Sequence, residues 1–337
     1  METVKFGSTG LKISRLCFGT MGVGSSRWKP WVLDEDAAKP LLKRCLDLGI
    51  TFYDMADWYS TGESERLVGP LLTSMVPREQ LVFTTKAKYP MSDDPNDQGL
   101  SRKHLLSAID NSLERIGTDY VDIFMVHAFD PHTPLEETME TLHDIVRSGK
   151  ARYVGASTMF AWQFAQMNAV ARENGWTPFV NMQCQYSLLY REEEREMIPY
   201  CRDRGIAVTT FSPLARGWLT GSKDRRSETD VYYARNYGDA LDLKICERVQ
   251  AIAAEHDTNM AQVALAWVCS KEAICSPIIS AASVDQLDNN VGALDLELTH
   301  EEVESLDRMY RPRGVVNDYV TELTPRHLGG VLPRGEE

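Results

Sequence analysis

An aspartate, a tyrosine, a lysine and a histidine, each at the end of a short apolar run, are the residues in this chain best suited to chemistry. Asp54 and Tyr59 lie in Phe52-Tyr53-Asp54-Met55-Ala56-Asp57-Trp58-Tyr59, Lys86 ends Phe83-Thr84-Thr85-Lys86, and His127 ends Met125-Val126-His127. The set suits carbonyl reduction, which puts a hydride on carbon and a proton on oxygen. A free tyrosine has a pKa near ~10 and is a poor acid at neutrality. An ammonium beside the phenol favours the phenolate, so Lys86 is expected to lower that pKa. A buried lysine needs a counter-charge, which Asp54 would supply. His127 would donate to the substrate oxygen and stabilise charge developing there. Each residue alone has a plainer reading: a lysine or histidine at a strand end is commonly just solvated, and Asp54 or Asp57 before a helix could be an N-cap. Their order along three successive runs favours chemistry.

The elements that must position them are short apolar runs alternating with amphipathic stretches. Strands are predicted over 16–19, 51–55, 81–86, 121–127, 151–156, 179–183, 206–211 and 276–279. Between them apolar residues recur at three and four, as in His104 to Ile116. Ser101 and Thr133-Pro134 read as helix starts, Gly149 and Gly205 as helix ends. Strand–helix alternation implies parallel strands with right-handed crossovers, and eight units close a (β/α)8 TIM barrel, whose chemistry sits at the C-terminal strand ends. An open doubly wound sheet would carry a glycine fingerprint in its first turn. Gly22-Val23-Gly24-Ser25-Ser26-Arg27 lacks the third glycine and reads as a loop. Residues 4–6 and 11–14 around Ser8-Thr9-Gly10 read as an N-terminal β-hairpin plugging the barrel bottom. Residues 218–240 are polar and read as a long mobile loop. Residues 1–337 read as one barrel domain, 1–15 holding the hairpin and 310–337 a C-terminal tail without period.

The chain has 337 residues, 43% hydrophobic and 25% charged, with a formal net charge of −13. An acidic surface disfavours nucleic acid, which needs a basic patch. The seven cysteines are odd in number and form no CxxC, so buried reduced thiols are expected. Residues 1–6 contain no apolar signal core and no apolar run approaches the ~18 residues of a membrane span, so a cytoplasmic protein away from membranes is expected. Whether it forms a homo-oligomer is left open. His300-Glu301-Glu302 lacks a second histidine at metal spacing, so a metal-dependent hydrolase is set aside and no metal is expected.

The run 52–59 resembles the aldo-keto reductase signature around its catalytic Asp and Tyr; Thr85-Lys86 and Val126-His127 resemble the signatures of its Lys and His. The resemblance spans about residues 4–307. It is nearest to the branch of aryl-alcohol dehydrogenases, YajO-like reductases and potassium-channel β-subunits, on stretches 150–157, 189–197 and 212–217. It implies an NADP(H)-dependent oxidoreductase with the dinucleotide extended across the barrel mouth. Ser157 and Gln183 would hold the nicotinamide carboxamide, Phe211 would stack on its ring, and Gly19, Thr20 and Met21 would line its ribose. Ser212, Leu214, Arg216 and Gly217 would surround the pyrophosphate. Ser283, Gln286, Asn289 and Asn290 would contact the adenosine end. The sequence departs from the family pattern in places. Thr158 stands where Asn or Ser is common, Ala128 where a larger residue is, and 280–283 lacks the usual glycine and base for a 2′-phosphate. With Asp285 nearby, NAD(H) stays open beside NADP(H).

Trp28, Trp31, Trp58 and Phe129 are expected to wall the substrate pocket, with Tyr89, Trp218, Tyr232 and Tyr233 on the same face. Such walls suit aryl aldehydes, quinoid carbonyls or sugar rings, though half could simply pack the loops. Lys223, Arg225 and Arg226 suggest that residues 218–240 close over the pyrophosphate; a solvated surface loop is the alternative. The resulting reading is NAD(P)H-dependent reduction of an aldehyde or ketone, or the reverse oxidation, with Tyr59 as acid/base. The runner-up is a nicotinamide-nucleotide-binding regulatory subunit with slow residual reductase activity.

Overall fold

The computed structural model describes residues 1–221 and 228–315. A hairpin of β1 (Thr3–Lys5) and β2 (Lys12–Ser14) precedes eight strands: β3 (Cys17–Gly19), β4 (Phe52–Asp54), β5 (Val82–Ala87), β6 (Val121–Val126), β7 (Ala151–Ser157), β8 (Asn181–Gln185), β9 (Ala207–Phe211) and β10 (Ile274–Ile279). These eight close into a parallel barrel in sequence order, β10 pairing with both β3 and β9. Every predicted barrel strand is present, shifted by no more than two residues at either end.

The strand period of two explains both the core and the site. Cys17, Phe52, Val82, Ile123, Met125, Ala207 and Ile278 form one inner cluster with Phe6 and Ile13 of the hairpin region. Phe6 is fully buried and meets Phe52 edge-on at 6.0 Å between centroids, so the hairpin does stopper the barrel bottom. Two or four residues beyond the inner-cluster residues of their strands come Gly19, Asp54, Lys86, His127 and Phe211. The alternation that packs the floor therefore also delivers polar residues to the mouth. Outward-facing residues such as Phe18, Tyr53, Phe83 and Phe124 join the second, larger core beneath the helices.

Ser101 Oγ accepts from His104 N at 3.3 Å at the start of Arg102–Ile116, as read. Pro134 stands just before Leu135–Arg147 rather than in its first turn, with no side-chain cap bond, and Thr133 Oγ1 donates instead to Asp130. Gly205 ends Met197–Arg204 at φ 65°, a left-handed position that glycine adopts without penalty. The described part of residues 218–240, which excludes 222–227, departs from the expected loop. It contributes to a turn, Ala215–Thr220, and a short helix, Val231–Asn236, and Trp218 stacks on Tyr233 at 4.9 Å while donating Nε1–H to its carbonyl. Polar composition hid this because one aromatic pair fixes Trp218 against Tyr233 and Asp239 caps the next helix. Lys223, Arg225 and Arg226 lie outside the described residues, as does the tail beyond 315. Among the described residues no helix is long and apolar enough to cross a membrane.

Candidate active site

Lys86 is fully buried and its three ammonium protons have three acceptors: Asp54 Oδ2 at 2.8 Å, Met55 O at 2.8 Å and Tyr59 Oη at 3.3 Å. Because the tyrosine oxygen accepts from the ammonium, its own O–H is free to donate elsewhere. Asp54 Oδ1 accepts from Gln183 Nε2 at 2.8 Å, so both carboxylate oxygens are engaged in a low-dielectric site. His127 lies edge-on to Tyr59 at 5.8 Å and to Tyr89 at 4.8 Å. Its Nδ1 is buried without a hydrogen-bond partner. The structure thus brings Asp54, Tyr59, Lys86 and His127 together.

Tyr59 begins a turn whose next two residues, Ser60 and Thr61, sit at φ 51° and 52°. Non-glycine residues pay for this conformation, and such strain gathers where a side chain must be aimed. The turn is braced by the loop after β3: Ser25 N donates to Ser60 Oγ at 3.2 Å, and a Cβ on Gly24 would come within 2.5 Å of that oxygen. Thr20 belongs to the same brace. It donates to Asp54 O and accepts from Ser64 Oγ, and it is fully buried and absent from the cavity wall. Outside the barrel, behind Lys86, Glu65 accepts from Thr85 Oγ1 at 2.5 Å and from Arg115 Nε at 2.6 Å.

The electrostatics correct one expectation. Burial raises the Tyr59 pKa by more than Lys86 lowers it, and Asp54 adds a smaller upward push. Burial works to lower Lys86, but Asp54 and then Tyr59 raise it further and the net shift is upward. The site therefore holds a protonated phenol and an ammonium. Burial, then Lys86 and Lys88, hold His127 well below its usual range, so it is neutral. Asp57 is buried with neither carboxylate oxygen hydrogen-bonded, and burial, then Glu65, push it well above the usual carboxylate range.

A cavity of about 650 Å³ opens at the C-terminal strand ends, within the range of small-molecule and cofactor sites. Asp54, Tyr59 and His127 form part of its wall, with Trp31 and Trp58 beside them. Gly19, Met21, Ser157, Gln183 and Phe211 follow. Gly19 has no room for a side chain: a Cβ would stand 2.7 Å from Ile278 Cγ2. Then come Ser212, Leu214, Arg216 and Gly217, in a loop where Ser212, Ala215 and Arg216 are left-handed at φ 54°, 47° and 58°. Gln286, Asn289 and Asn290 also line the cavity. This donor set fits a dinucleotide: buried amide and hydroxyl groups, a tightly turned loop with a cation, and further neutral amides.

Four expected residues fall elsewhere. Besides Thr20, Ser283 caps the helix Val284–Val291 by accepting from Gln286 N. Trp28 backs the wall rather than forming it, packing on Trp31 and Trp58 at 6.4 and 5.2 Å. Phe129 packs against Trp162 at 6.3 Å. Gln183 is already partly used by Asp54, and Arg216 is ion-paired to Asp230 at 2.7 Å. Sequence reasoning missed Lys29, Gln185, Ser280, Asn259 and Asp230 as wall residues. Gln185 carried a signal, since it stands two residues beyond Gln183 on the inward face of β8. Asp230 carried none, since only the fold brings it to Arg216.

The Aldo/keto reductase family model matches residues 15–311. Versiconal hemiacetal acetate reductase of Aspergillus parasiticus is 39% identical, covering 94% of this chain and 98% of its own. Aldo-keto reductase AFTS1 of Alternaria alternata is 38% identical, covering 92% of each. A Schizosaccharomyces pombe protein named as an aryl-alcohol dehydrogenase is 38% identical, covering 91% of this chain and 95% of its own.

Proposed function

Since this chain belongs to the aldo/keto reductase family, a family of oxidoreductases acting on carbonyl compounds with nicotinamide cofactors, we propose that Tyr59 is the proton donor of its carbonyl reduction. The observation that carries this is the 3.3 Å contact in which Lys86 donates to Tyr59 Oη and leaves the phenol proton to the cavity. When bound, the reduced nicotinamide supplies the hydride. Tyr59 holds the proton that the new alkoxide oxygen takes, and Lys86 stabilises the phenolate left behind. Asp54, itself held by Gln183, keeps Lys86 charged and in place. Neutral His127 orients the carbonyl oxygen by hydrogen bonding. Ser157 and Gln183 would hold the carboxamide, Phe211 would pack against the nicotinamide, and Arg216 would meet the pyrophosphate charge.

NADP(H) is the proposed cofactor. Around Ser280, Gln286, Asn289 and Asn290 the wall is neutral, so the preference over NAD(H) rests on hydrogen bonds and is small. Aromatic Trp31, Trp58 and Tyr89 suit an aryl carbonyl substrate, as the name of the Schizosaccharomyces pombe relative also suggests. The seven free thiols are in keeping with the cytosol. Fluorescence titration with NADPH and NADH, followed by a carbonyl panel, tests this reading. NADPH should bind more tightly, and Ala282→Lys should widen the gap by adding a charge-assisted contact. Equal or tighter NADH binding overturns the cofactor assignment. A single burst with cofactor held tightly would favour the regulatory-subunit reading over the enzyme.

A further inference from the structure

Lys29 stands on the cavity wall that Trp31, Trp58, Tyr59 and His127 also line. The other charges on that wall are neutralised: Asp54 by Lys86, and Arg216 by Asp230. Among the described residues Lys29 makes no ion pair; its ammonium lies 5.7 Å from the centroid of Trp28. Its loop is fastened, with Val32 N donating to Lys29 O at 3.1 Å, Gly24 N to Leu33 O at 2.9 Å and Ser26 N to Asp34 Oδ1 at 2.8 Å. From Lys29 a chain of rings leads inward: Trp28 to Trp58 at 5.2 Å, Trp58 to Tyr89 at 5.3 Å, Tyr89 to His127 at 4.8 Å. A cation and the carbonyl-orienting imidazole thus mark the two ends of one aromatic wall.

From this we infer that the substrate is an anionic aryl carbonyl compound, its aldehyde or ketone at Tyr59 and His127 and a carboxylate on the far side of the ring at Lys29. The inference rests on the proposed reductase reading for the position of the carbonyl. Apolar rings take the aryl body, and the ammonium pairs with the anion at the rim, where water still screens it. The chain's net charge of −13 repels anions at large, so any such preference must come from a local cation.

Tryptophan fluorescence of the cofactor-loaded protein, titrated with 4-formylbenzoate and with its neutral methyl ester, tests this, with reduction of the ester followed in parallel. The expected result is tighter binding of the acid by about fivefold, an advantage that shrinks in 0.5 M salt, collapses in Lys29→Gln and survives in Lys29→Arg. Equal affinity for acid and ester, or an advantage that Lys29→Gln leaves intact, overturns the inference. Failure to reduce the ester, with the acid still preferred in binding, would count against the reductase reading and leave the anion site standing.

Discussion

Replacing Lys86 by methionine keeps the unbranched apolar stem and deletes the ammonium that joins Asp54 to Tyr59. Two consequences follow with separable magnitudes. Asp54 Oδ2 loses its cation while Gln183 still serves Oδ1, leaving a buried carboxylate without counter-charge. Breaking a buried pair by removing one partner costs about 3–5 kcal/mol of stability. The second consequence is chemical. Unit charges 3.3 Å apart attract by about 5 kcal/mol at an effective dielectric near 20, an upper bound on what Lys86 contributes to a developing phenolate. Half of that is worth roughly 10²-fold in rate. Single-turnover reduction at saturating cofactor reads the rate, and thermal melting reads the stability. Adding Asp54→Asn to Lys86→Met removes the stranded carboxylate, so the double variant should recover stability while its rate stays low. A Lys86→Met rate within about threefold of wild type, or a rate that recovers together with stability, would refute the reasoning.

Two further outcomes follow from the raised and lowered pKa values. Because burial raises Tyr59 and depresses His127, reduction should be flat between pH 6 and 9, while the reverse oxidation, which needs the phenolate, should climb with pH; a reduction limb falling near pH 7 contradicts this. Asp57 has a folded pKa above its unfolded value near ~4, so its contribution to stability is complete below that pH and is lost as pH rises through the folded value. Asp57→Asn should therefore gain on wild type in melting temperature from pH 4 to pH 8, and a difference independent of pH would show that this carboxyl ionises freely in the fold.

The barrel was legible because its signals are local. Each strand is a short apolar run, and the same period of two that puts Phe52 on the floor puts Asp54 at the mouth. Tyr59 was legible through its spacing, five residues past Asp54, although the strained Ser60–Thr61 backbone that aims it was not. What escaped is what depends on distant segments meeting. Thr20 looked like a wall residue and is a brace, because Ser64 comes to it from the helix Glu63–Met75. Arg216 was expected at the pyrophosphate, and its pairing with Asp230 was not visible. The pKa of Tyr59 was misjudged for the same reason: one charge partner can be read from a sequence, whereas the depth of burial that outweighs it cannot.

Tyr59→Phe tests the central claim most directly, since it removes one oxygen and its proton and leaves the ring against His127. Steady-state carbonyl reduction should fall by about 10²–10⁴-fold, the usual cost of losing a general acid, with cofactor affinity changed only a few-fold. A variant that reduces carbonyls at close to the wild-type rate would contradict the assignment of Tyr59 as the proton donor.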